Sequence, residues 1–155
     1  MSGYLNPFVF NSGVVGGLYF RLVIDDVKSP YYTTVQFSEV LINGASFNMT
    51  SNTSGGCIAS NSAGSASAWR HWDGVRGAGA PFTIPLYGWT QIKAAAPIVV
   101  TSFSVAGANA APTYGPKGFS FYQSSTGSFS GEETLLKSVS GKTWTAMELA
   151  TFSVP

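Results

Sequence analysis

The chain has 155 residues, about one ordinary domain, with 45% hydrophobic and 14% aromatic residues but only 10% charged ones. Eight Lys and Arg against seven Asp and Glu leave a formal charge of +1, which excludes the basic footprint expected of a nucleic-acid or anionic-membrane binder. The apolar content excludes a disordered chain. Low charge also removes a common defence against self-association, so Ser, Thr, Asn and Gly must keep the surface soluble.

Residues 1–15 form an apolar arm ahead of the first clear strand, and residues 16–155 read as a single domain. Packing on its own domain or docking on a neighbouring subunit are both open for the arm. Met1-Ser2-Gly3-Tyr4 lacks the basic and apolar regions of a signal peptide. The expectation is synthesis in a cytoplasm without export. The longest apolar stretch, residues 94–100, is interrupted by Pro97 and falls far short of the ~20 residues of a membrane helix. No membrane insertion is expected.

From residue 18 to 24 the residues Leu18, Phe20, Leu22 and Ile24 alternate with Tyr19, Arg21 and Val23, a strand period. Residues 35–42 alternate in the same way and end at Asn43-Gly44, a strong hairpin-turn signal. Residues 51–67, rich in Ser, Gly and Asn, read as a long surface loop. The lone Cys57 within it cannot form an internal disulfide and reads as a structural thiol. A short helical turn is predicted at residues 68–72. Further strands are predicted at 82–87, 89–93, 98–105, 118–123, 134–139 and 149–154. About eight short strands with turns between them imply an all-β fold, an antiparallel sandwich or barrel.

Three segments resemble the discoidin-like, galactose-binding-like jelly rolls, the group that includes coagulation-factor C-type domains and many carbohydrate-binding modules. Tyr19-Phe20-Arg21-Leu22-Val23-Ile24 with Val35-Gln36-Phe37-Ser38-Glu39-Val40 resembles the family's "Y-x-R-L-x-I … V-x-x-(A/S)-E-(I/V)" strands. Ala68-Trp69-Arg70-His71-Trp72-Asp73-Gly74 is similar to its "A-x-x-A-F-D-G" loop, and a strand containing Trp89 follows. The run from Gly115-Pro116-Lys117 through Gln123-Ser124-Ser125, with Gly141-Lys142-Thr143-Trp144 and the closing residues 148–155, resembles its last hairpin and final strand. The likeness covers residues 17–155. The "R-L … S-E" pair precedes the "D-G" loop, an order that resembles the permuted versions in phage tail and virion proteins.

The resemblance implies a β-sandwich of the jelly-roll type with a calcium ion between the first two segments. Asp73 and Glu39 would supply carboxylates, and Arg70, Val75 and Ser38 backbone carbonyls. Two carboxylates with carbonyl oxygens suit a hard cation that takes six to eight oxygens. The hydroxyl that the family often places after Asp-Gly falls at Ala78, which has none. The alternative is that Asp73 caps its turn and Glu39 pairs with a base.

No reaction is legible. His71 stands two residues from Asp73 in a loop, and no G-x-S-x-G motif accompanies them. Glu132-Glu133, on a strand, would point to opposite faces and could not flank one sugar. Trp69, His71 and Arg76 are the candidate glycan-binding residues, because sugar sites combine an aromatic platform with hydrogen-bonding side chains. Trp72 is expected in the core. The resulting expectation is a non-catalytic phage virion accessory protein: a decoration, head-fibre or tail-fibre subunit. It would bind other virion proteins and copies of itself, and its location would be the virion. The alternative is a stand-alone carbohydrate-binding module that recognises cell-surface glycans.

Overall fold

The structure, a computed structural model, describes residues 16–28, 31, 33–76 and 82–155. The arm of residues 1–15 and the Ala78 position lie outside the described residues. The strands are β1 (Gly17–Val27), β2 (Thr34–Ile42), β3 (Thr53–Ser54), β4 (Cys57–Asn61), β5 (Phe82–Pro85), β6 (Trp89–Ile98), β7 (Ser102–Gly107), β8 (Pro116–Ser124), β9 (Thr134–Val139) and β10 (Leu149–Ser153). A 3₁₀ turn spans Ala68–His71, and one helical turn, α1, spans Ala111–Tyr114.

All pairings are antiparallel, and they build two sheets. The first has the order β3-β4-β6-β1-β8-β9 and the second β10-β7-β2-β5. The sheets pack face to face as an all-β sandwich, compatible with a jelly-roll-like fold. The period-2 pattern of β1 produces this directly, because Phe20, Leu22 and Ile24 all turn inward and are fully buried. Across the interior, Phe103 of β7 stacks on Phe121 of β8 with ring centroids 4.4 Å apart, and within its own sheet on Phe152 of β10 at 5.2 Å. This aromatic cluster joins the two sheets, and such pairs add to area burial.

Two sequence expectations change. The predicted strand at 98–105 is divided between β6 and β7, because Asn43 ties down the bend between them. Its Oδ1 accepts from Thr101 N at 2.8 Å and Ser102 N at 3.2 Å, and its Nδ2 donates to Val99 O at 2.8 Å. Asn43 can do this because it and Gly44 form the predicted tight turn, with φ of 52° and 76°. The loop predicted at 51–67 contains the β3–β4 hairpin, closed by Gly55 and Gly56 at φ of 59° and 78°. Cys57 is buried in that hairpin, which fits a structural thiol. No helix among the described residues is long and apolar enough to cross a membrane.

Candidate functional site

β2 carries a register irregularity between Phe37 and Glu39, where it pairs with β7. Phe37 and Val40 both enter the core, although an unbroken strand would place residues three apart on opposite faces. Glu39 is thereby fully buried beside the segment that follows the 3₁₀ turn. Gly74, at φ of 84°, donates its N–H to Glu39 Oε2 at 3.0 Å. A Cβ on Gly74 would lie 2.7 Å from Ser46 Oγ, so a glycine is needed for this close approach. Asp73 caps its own turn by accepting Val75 N at 2.8 Å on Oδ1.

The structure therefore brings Glu39 and Asp73 together from elements far apart in sequence. Burial, followed by the hydrogen bond and charge of Asp73, pushes the Glu39 carboxyl up to about 9, while Gly74 N–H and Arg76 oppose the shift. Glu39 Oε1 is buried and meets no donor among the described residues. Two neighbouring acceptors with no positive group bonded to them suit either a proton or a hard cation. No group of three or more His, Cys, Asp or Glu occurs among the described residues. A cation at this position would rest on these two carboxylates and on neutral oxygens.

The neighbours expected from the sequence divide into core and surface. The Ser38 hydroxyl is buried and directed at the β7 carbonyls of Ala106 and Gly107, at 3.2 and 3.4 Å. Arg70 is exposed, with its guanidinium 5.4 Å from the Trp69 ring centroid. Val75 and Arg76 are exposed and Trp69 is half-buried. His71 is fully buried; its ring stacks on Phe37 at 4.4 Å and its Nδ1 lies 3.1 Å from Thr90 Oγ1. Trp72, as expected, is in the core, and its Nε1 donates to the same Thr90 hydroxyl at 3.1 Å. In the expected glycan triad, Trp69 and Arg76 reach the surface and His71 does not. Its place on the core side follows from the short 3₁₀ turn, which directs His71 and Ala68 inward while Arg70 points out.

A second polar cluster had no sequence signal. On the outer side of the first sheet, Arg21 of β1 lies between two rings, with its guanidinium carbon 4.2 Å from the Trp89 centroid and 3.8 Å from that of Phe129. Its Nε and Nη2 both donate to Gln91 Oε1, at 2.9 and 2.6 Å. Burial lowers the Arg21 pKa from its ordinary value, and Glu133 counteracts that shift. The β8–β9 loop brings Phe129 here, and Glu132 organises that loop by accepting from Ser124 Oγ at 2.6 Å and Phe129 N at 3.1 Å. Glu132 and Glu133, expected on a strand, lie in this loop just before β9. Comparison with protein-family models, curated proteins and solved structures gives no match for the chain.

Proposed function

We propose that this chain is a non-catalytic virion accessory protein of a phage, a permuted discoidin-like jelly roll that packs against copies of itself and other virion proteins. The observation that carries the reading is a pair of sheet edges that no described strand covers. β9 and β10 are edge strands of the two sheets, and no described strand pairs with their outer sides. Leu135 on β9 is 51% exposed and Leu149 on β10 is 38% exposed. β10 reads Leu149-Ala150-Thr151-Phe152-Ser153, with no charge and no proline. Monomeric proteins ordinarily blunt such edges with Lys, Pro or a cover; β9 carries Lys137 but β10 has neither Lys nor Pro, so the β10 side of the sandwich suits assembly. A cleft of about 220 Å³ lined by Leu135, Leu136 and Val154 lies between the edges. Light scattering on the purified chain and proteomics of phage particles test the reading. It predicts a defined oligomer and presence in particles; a monomer absent from particles overturns it.

In this reading Glu39 and Asp73, with the backbone carbonyls of Ser38, Arg70 and Val75, hold a calcium ion that fixes the loop end to β2. The bound ion would supply positive charge for two adjacent acceptors and carry no reaction. Glu39 Oε1, buried with no donor among the described residues, supports it.

A second reading, recognition of cell-surface glycans, is favoured by Trp69, half-buried beside the Arg70 guanidinium, with exposed Arg76 close in sequence. A glycan array with Trp69→Ala and Arg76→Ala controls tests it. Equal array signals for the native chain and both variants, or no signal at all, sink it.

A further inference from the structure

Only eight Lys and Arg occur in the chain, yet three lysines line one cavity. It measures about 210 Å³ and lies where β1 ends, β8 begins and the β9–β10 connection crosses α1. Among the described residues Lys28, Lys117 and Lys142 are the charged part of its lining, with no carboxylate; Trp144, Pro112 and Ala111 supply the apolar part. Lys117 pairs with Asp26 at 3.1 Å, and Lys142 with Glu148 at 2.5 Å, both acids lying outside the lining. Lys28 donates to the Pro112 carbonyl and forms no ion pair among the described residues. An ammonium has three donors. Lys28 and Lys117, each with one such bond, keep N–H groups for a guest.

The wall is fixed. Trp144 is buried, its Nε1 donates to Pro116 O at 2.7 Å, and Gly115 lies so close that a Cβ there would be 2.4 Å from Trp144 Cδ1. With its one N–H used internally and the Lys142 ammonium 4.6 Å from its ring centroid, the indole offers the cavity a carbon edge beside a cation. A site with cations beside an aromatic, apolar wall matches a ligand with an anionic substituent on a small amphipathic ring. The volume equals about seven waters at ~30 Å³ each, which suits one ring and not an oligomer.

We propose that this cavity binds the acidic residue of an anionic saccharide, its carboxylate or phosphate between Lys28, Lys117 and Lys142 and its ring against Trp144 and Pro112. The site is separate from Glu39 and Asp73, and it does not depend on either reading of the whole chain given above.

The test is titration of the full chain, followed by NMR at the Trp144 indole N–H and by calorimetry. The probes are glucuronic acid, glucose 6-phosphate, glucose, acetate and inorganic phosphate. Saturable binding of one or both acidic sugars, with glucose at least about tenfold weaker, is expected from loss of a charge-assisted hydrogen bond. The tighter of the two acids identifies the anionic group. Lys28→Gln and Lys117→Gln should each weaken binding by about tenfold, and added salt should weaken it further. Neither lysine is buried, so unchanged melting temperatures will show that both variants fold. Glucose binding as tightly as the acids, full affinity in both variants, or no saturable binding overturns the proposal. Acetate or inorganic phosphate matching the acidic sugars overturns it too, leaving an adventitious anion only.

Discussion

Gly74 N–H donates to Glu39 Oε2 at 3.0 Å, while the other carboxyl oxygen of Glu39 is buried and meets no donor among the described residues. This half-satisfied carboxyl sets the pH dependence expected of the metal-free chain. Folded Glu39 keeps its proton up to about pH 9, whereas an unfolded glutamate loses it near its ordinary carboxylate value. Between the two, the native state binds more protons, so stability is complete below the ordinary value and is lost as pH rises through this window. The slope from this one group is at most about 1.4 kcal/mol per pH unit. Urea unfolding in chelator at about pH 5 and about pH 8 should show the decline, and Glu39→Gln should remove it. A native chain with the same stability at both values refutes a buried, protonated Glu39.

Calcium should reverse that decline. A cation between Glu39 and Asp73 replaces the proton and stabilises the folded state by linkage, by ~2.7 kcal/mol at a hundredfold excess over Kd. The expected result is a higher melting temperature with calcium than with chelator, more so at alkaline pH, and no difference in Asp73→Asn. Identical melting curves in calcium and chelator rule out the ion.

Thr90 serves two core rings at once: Trp72 Nε1 donates to its hydroxyl, and His71 Nδ1 lies at the same 3.1 Å from it. Thr90→Val keeps the shape and deletes the acceptor, leaving a buried indole N–H without its partner. The loss should be about 1–3 kcal/mol in denaturant unfolding, and Thr90→Ser should recover most of it. If Val is as stable as Thr, the hydroxyl is not what holds Trp72. Glycan recognition by Trp69 should survive both changes.

The strand pattern was legible because it is local. Phe20, Leu22 and Ile24 display the period of a half-buried strand, and Asn43-Gly44 the chemistry of a tight turn. The bend that ends β6 was hidden, because its anchor Asn43 lies on a different hairpin. Glu39 and Asp73 could be paired from the sequence only through a family likeness. His71 was misplaced on the surface because its direction depends on a turn of four residues, too short to show a period. The lysine cavity gave no signal, since its lysines come from the residue after β1, from β8 and from the β9–β10 connection.

The β8–β9 loop depends on one exposed carboxylate. Glu132 Oε1 accepts from Ser124 Oγ, Ser128 Oγ and Phe129 N. The Ser124 bond is the main reason its pKa lies below the ordinary value, with Phe129 N–H assisting and desolvation opposing. Phe129 itself sits at φ of 48°, a conformation a bulky residue adopts only when its surroundings impose it. Glu132 supplies that constraint from one side and Arg21 from the other, at 3.8 Å from the Phe129 ring. Because the folded pKa is depressed, the contribution of Glu132 is present above the ordinary carboxylate value and is lost as pH falls through the lowered one. Glu132→Ala should therefore raise native-state hydrogen exchange at the Phe129 and Gly127 amides by about tenfold at fixed neutral pH. The β1 and β8 core amides should remain protected, since no core side chain changes. Unchanged exchange at Phe129 would show that the ring stack on Arg21 holds the loop alone, and Arg21→Ala should then produce the whole effect.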